Sequence, residues 1–193
     1  MRLDARKLTA ICLMAGLIVV IGAGAATAKK KKALEEYRAQ AYNINRGAAG
    51  FLDIVIYRWT TPEQRAGIQE AFRAGGNEAL YDALDDQEQV GYVRAPASLG
   101  YEMKYAWQFE ADGKRHVILG TDRTLGFLEV ARSTWTEDYN ISFVYLVLDL
   151  ETGEGEGQAV GGAEFSIDEA TGKLEVTTAS SQPTKLTKVK RRD

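Results

Sequence analysis

Residues 101–119 read YEMKYAWQFEADGKRHVIL. Tyr101, Met103, Tyr105, Trp107 and Phe109 alternate with Glu102, Lys104, Ala106, Gln108 and Glu110, the period of a strand with one apolar face. Asp112-Gly113 supplies the two residues that best tolerate the left-handed backbone of a tight hairpin, so His116–Leu119 is expected to return antiparallel. In that register Trp107 faces Ile118 on the apolar side and Glu110 faces Arg115 on the polar side.

Further strands are expected on the C-terminal side at Gly126–Arg132, Tyr139–Leu150, Gln158–Ile167 and Lys173–Thr178. A Gly/Glu-rich connector lies between Leu150 and Gln158, and a tight turn over Asp168–Gly172. Residues 141–150 (ISFVYLVLDL) are apolar on both faces, which places that strand centrally. On the N-terminal side, residues 51–59 (FLDIVIYRW) are β-branched and aromatic on both faces, again a covered strand. Thr60 or Thr61 then caps a helix with Pro62 in its first turn and Glu63-Gln64 behind it. Ile68, Ala71 and Phe72 line one side of that helix and Gly75-Gly76 stops it. Asn77 caps a second helix carrying Leu80, Tyr81 and Leu84. These elements predict an α+β domain with a mostly antiparallel, curved sheet of about seven or eight strands and an N-terminal helical hairpin packed on it. The sheet is either open beneath the helices or closed toward a barrel.

The domain so defined covers residues 50–179. Residues 1–28 precede it as a signal peptide: a basic lead of Arg2, Arg6 and Lys7, an apolar run from Leu8 to Ile21, and an Ala26-Thr27-Ala28 cleavage site. The rival reading is an uncleaved membrane helix held inside by Lys29–Lys32. The weakly hydrophobic Gly22–Ala26 taper favours cleavage and hence a periplasmic or secreted protein. Residues 29–49 read as a polar tether, and residues 180–193 as a basic tail or a final edge strand. The only cysteine, Cys12, leaves with the signal, which excludes disulfides, thiol catalysis and cysteine zinc sites. The net charge of −3 becomes about −5 after cleavage, so nucleic acid is not an expected partner. The basic ends, Lys29–Lys32 and the Lys/Arg-rich stretch from Lys185, could reach anionic lipid.

The catalytic inventory is small. His116 is the sole histidine, which rules out two-histidine zinc sites, and no serine sits in a Gly-x-Ser-x-Gly setting. His116 reads as a structural or surface residue near the rim of the hairpin. The acidic groups Asp82, Asp85, Asp86, Glu88 and Asp149, Glu151, Glu154, Glu156 lack EF-hand spacing and read as solvated, so neither a metal nor a cofactor is expected. Arg58, Arg94 and Arg123 adjoin aromatic or turn segments. Brought together with Tyr101 at one end of the sheet, they would bind a small anionic or sugar-like ligand. The leading expectation is therefore a non-catalytic exported protein that binds a small ligand or a protein partner. The alternatives are a hydrolase or isomerase using carboxylates, with Asp122 and Arg123 as its first candidates, and a structural envelope component whose ends touch lipid.

The run Val90-Gly91-Tyr92-Val93-Arg94-Ala95-Pro96-Ala97-Ser98-Leu99-Gly100-Tyr101, with Thr121-Asp122-Arg123 and Gly126-Phe127, resembles a group of uncharacterised exported bacterial proteins. That resemblance, over residues 50–190, implies export and a single domain. It carries no activity and no catalytic residue.

Overall fold

Nine strands hydrogen-bond into one antiparallel sheet whose two edges are neighbours in the chain. The computed structural model describes residues 31–43, 48–96, 98–125, 141–167, 174–178 and 183–192. The segment expected to be a signal peptide, the strand expected at 126–132 and the turn expected at 168–172 lie outside these residues. In chain order the elements are β1 (Glu35–Asn43), β2 (Ala48–Ile56), α1 (Pro62–Asp85), β3 (Gly91–Arg94), β4 (Tyr101–Met103), β5 (Tyr105–Ala111), β6 (Lys114–Thr121), β7 (Ser142–Asp149), β8 (Glu154–Val160), β9 (Ala163–Ile167), β10 (Leu174–Thr178) and β11 (Thr184–Arg192). The sheet order is β4-β3-β2-β1-β11-β8-β7-β6-β5, and β9 and β10 form a separate hairpin.

Only Lys104 separates β4 from β5, so the sheet curls until it is nearly a barrel. Met103 accepts a backbone hydrogen bond from Val90 on one side, and Lys104 donates to Gly120 on the other. Thr60 stitches the remaining gap: its N–H donates to the Ala106 carbonyl, and its hydroxyl accepts from the Ala106 N–H. The kink at Lys104 also shifts the side-chain phase by one residue, as a bulge does. Met103 is fully buried inside, but the next fully buried residue is Ala106, while Tyr105, Trp107 and Phe109 face out. The alternation at 101–109 is therefore not one continuous apolar face. Beyond the kink the hairpin register is as expected, with Trp107 opposite Ile118 and Glu110 opposite Arg115. Its turn residues Asp112 and Gly113 both have positive φ (52° and 68°).

Three further expectations need correction. The sheet has nine strands rather than seven or eight. The stretch read as a tether holds β1, where Tyr37, Ala39 and Ala41 point inward and alternate with Glu36, Arg38 and Gln40. Small alanines gave that alternation too little hydrophobic contrast to read as a strand. The basic C-terminal stretch is not an edge but β11, a central strand between β1 and β8.

The helical region is not N-terminal; it lies between β2 and β3. It runs as one element, α1, broken at Gly76 (φ 66°), the glycine expected to end the first helix. Thr61 and Gln64 form the expected capping box and Pro62 begins the first turn. Asn77, expected to cap a second helix, instead turns its side-chain amide to the backbone of Phe165, donating to the carbonyl and accepting from the N–H, and so pins β9 to the helix.

The barrel interior is filled by Tyr37, Leu52, Ile54, Met103, Leu119, Leu146 and Leu186. Each aliphatic side chain of this kind contributes about 1.5–3 kcal/mol on burial. One mouth of the interior holds a charged group. Arg115 reaches both carboxylate oxygens of Glu35 (2.7 and 2.8 Å), the Tyr37 hydroxyl donates to Glu35, and the Arg115 guanidinium lies over the Trp59 ring. Burial, reinforced by Glu35, pushes the Tyr37 phenol well above its ordinary range.

At the turn after β7, Asp149 accepts from the backbone of Glu151 and Thr152 and from Lys114. These donors, the Thr152 N–H foremost, hold its carboxyl down at about 2. A depressed folded-state value makes this contribution complete above the ordinary aspartate range and lost as pH falls through about 2. NMR titration of the Asp149 carboxyl should show a midpoint near 2, and Lys114→Met should raise it. A midpoint in the ordinary aspartate range would show that the turn does not hold the carboxylate.

Candidate functional site

The outward phase of β5–β8 creates the site. Tyr105, Ile118, Phe143, Tyr145 and Val160 project from the outer face of the curved sheet, where a second apolar layer forms beneath α1. Ile68 and Leu84 of α1 bury against Ile141, with Leu80, Tyr105 and Phe165 around them. Helix and sheet do not close fully, and they leave a cleft of about 1090 Å³. That is slightly larger than the usual range for small-molecule sites. β9, held by Asn77, forms its far wall through Phe165, which meets Phe72 edge-on.

The charge on the walls has one sign. Arg65 and Arg73 line the cleft, and no aspartate or glutamate does so among the described residues. Arg65 is held in place: its guanidinium stacks 4.7 Å from the Trp107 ring centroid. Burial pushes the neighbouring Tyr105 phenol up, and the Arg65 charge opposes that shift. Arg73 is freer, with only an exposed partner, Glu70, at 3.7 Å, a pair of little energetic weight. The remaining polar residues of the lining include Gln69, Gln158 and Tyr145. Such a cleft has a long apolar floor and a fixed cation at its helix side.

The residues singled out from the sequence lie elsewhere. Arg58 follows the C-terminal end of β2 and binds Glu88 and Gln64. Arg94 ends β3 and Arg123 follows β6; both strands run opposite to β2, so these two arginines lie at the other end of the sheet. Arg94 is exposed and covers the Tyr92 ring, and Tyr101 packs against the barrel core. Asp122 is buried and accepts from the Thr121 hydroxyl at 3.2 Å, while Arg123 is exposed. The four ligand-binding candidates do not line the cleft. Among the described residues, no three acidic, histidine or cysteine side chains are placed to hold a metal.

His116 sits beside the cleft rather than in it. Its ring stacks on Phe109 (4.8 Å, 8°) and against Tyr145 (5.8 Å, 24°). Of the aromatic stripe at 101–109 only Tyr105 lines the cleft, and a period-two pattern that reads as a single core face does not place it there. The available signal was the pairing of Ala106 inside with Tyr105 and Trp107 outside.

Comparison with protein-family models, with curated proteins and with solved structures finds no match to this chain.

Proposed function

We propose that this is an exported, non-catalytic protein whose cleft between α1 and the outer face of β5–β8 binds a small amphipathic anion, an alkyl or acyl chain bearing an acidic head group. The observation that carries this reading is the combination of an apolar floor with Arg65, a cation held rigid on Trp107 and unopposed by any acid on the described walls. Burial of the chain against Ile118, Phe143 and Phe165 supplies most of the affinity, because apolar area removed from water is the dominant favourable term. The arginine adds a charge-assisted bond to the head group and fixes its orientation. Because Arg65 is already ordered, little side-chain entropy is lost on binding. Export rests on the residues of the N-terminal segment.

Calorimetric titration with decane-1-sulfonate tests this. Its charge is constant over the working range, so the ligand does not titrate. Arg65→Gln is expected to weaken binding about tenfold. Ile118→Asp, which places a carboxylate on the floor, is expected to abolish it. Equal affinity in both variants and the wild type would show that the probe binds elsewhere and would end this reading.

A further inference from the structure

A residue of the cleft wall, Tyr145, is hydrogen-bonded to a side chain outside the cleft. The Tyr145 side chain lines the cleft, and its hydroxyl is hydrogen-bonded to Nδ1 of His116. The other imidazole nitrogen, Nε2, lies 3.2 Å from the carbonyl oxygen of Ala111. A carbonyl can only accept, so these partners assign the hydrogen of the neutral ring to Nε2 and leave Nδ1 bare. Tyr145 must then spend its single hydroxyl proton on His116, and its oxygen keeps only lone pairs for any other partner. Protonation of the ring reverses that bond. Nδ1–H now donates to the phenol oxygen, and the hydroxyl proton is free to donate to whatever occupies the cleft.

We infer that His116 is a positioning residue for the cleft: its charge state sets whether Tyr145 meets the ligand head group as a hydrogen-bond donor or as an acceptor. The inference rests on the cleft being the binding site. Its consequence is tighter binding of anions when the imidazole is protonated. The geometry suits a two-state device, since both states keep the same heavy atoms in place. Phe109 and Tyr145 hold the ring between them, and the Ala111 carbonyl accepts from Nε2 in either state.

Other charged groups lie near the ring on the outer side of the sheet among the described residues. On its own strand, β6, is Lys114, paired across to Asp149 of β7 at 3.1 Å. Glu156 of β8 lies beyond Val147, and Arg65 of α1 lies over Trp107 on β5. The Lys114–Asp149 pair is internally neutralised, which leaves Glu156 and Arg65 as the opposed outer influences. None of these groups bonds to the Tyr145 hydroxyl, so none can relay a proton to it as His116 does.

The test is the affinity of the full mature protein for decane-1-sulfonate at about pH 5 and about pH 8, either side of the histidine range. The wild type is expected to bind about tenfold more tightly at the lower pH, the effect of one added hydrogen bond to a charged group. Tyr145→Phe keeps the imidazolium charge but removes the hydroxyl, and should flatten most of the profile. His116→Phe keeps the aromatic stack, leaves the hydroxyl proton permanently free, and should give pH-independent affinity near the wild-type acid value. Full pH dependence retained in Tyr145→Phe would overturn the inference in favour of simple charge attraction. Full dependence retained in His116→Phe would assign it to another group and overturn it equally. A flat wild-type profile with good binding would overturn the hydroxyl device alone and leave the cleft standing. No binding at either pH would remove both.

Discussion

Arg115→Met is expected to destabilise the protein by about 3 kcal/mol, a fall in Tm on the order of 10 °C. The reason is not the loss of an ion pair as such. Glu35 and Arg115 sit at the mouth of the barrel with side chains only 10% and 19% exposed. Their mutual attraction roughly offsets the cost of removing both from water. Methionine keeps the apolar stem against Trp59 but leaves the Glu35 carboxylate without its main partner. Arg191, at 3.9 Å, is too distant and too exposed to replace it. The Tyr37 hydroxyl still donates to Glu35, one neutral bond to a buried charge. The double variant Glu35→Gln with Arg115→Met should recover most of the loss, because glutamine accepts from Tyr37 and carries no charge. Thermal unfolding of the wild type, the single and the double variant decides this. If the double variant is no more stable than Arg115→Met, the uncompensated charge is not the cause.

Gly157→Ala is expected to cost about 2–3 kcal/mol, the magnitude of overpacking at a rigid site. β8 turns Gly155, Gly157 and Ala159 toward the barrel, and a Cβ at Gly157 would be driven into the Tyr145 carbonyl oxygen. The next nearest atom is Cδ2 of Leu146, at 2.9 Å. A backbone oxygen paired in a central ladder cannot step aside without breaking strand pairing, so the cost cannot be relieved by a rotamer change. Gly155 makes a similar close approach to Val147. The same substitution at Gly67 should act in the opposite direction. Nothing lies within 4 Å of a Cβ there and the residue is helical, so alanine stabilises by roughly 0.5–1 kcal/mol. Denaturant unfolding of both variants tests the pair, and a neutral Gly157→Ala would mean that β7 and β8 can separate locally.

β8 also shows why part of the fold was hard to read. Residues 151–157 look like a Gly/Glu-rich connector because no large apolar residue marks them. Their alternation is nevertheless complete: Glu154, Glu156 and Gln158 point out, and Gly155, Gly157 and Ala159 point in. Strand propensity largely reports how well a side chain fits its neighbours, so a strand that must present no side chain to a crowded interior looks like a loop. The same applies to β1, where alanines fill two inward positions. Where contrast was strong, local chemistry was enough. The capping box at Thr61, the break at Gly76 and the Asp112-Gly113 hairpin with its register all follow from short-range rules.

By itself, then, the sequence determined the class of the protein: a mostly antiparallel sheet with helix packed on it, the hairpin at 105–121, the start of the helix and its break at Gly76. These depend on residues within a few positions of one another. The tertiary structure alone decided that the sheet curls until its edges meet in one run of chain, that Arg58 is separated from Arg94 and Arg123, and that a cleft opens under α1. Strand direction sets the ends at which the arginines lie, and the phase shift at Lys104 turns Tyr105 outward into the wall of the cleft. One residue of extra backbone changes which face the following side chains of β5 occupy. Tyr105, which reads as core, thereby becomes part of the wall of a site.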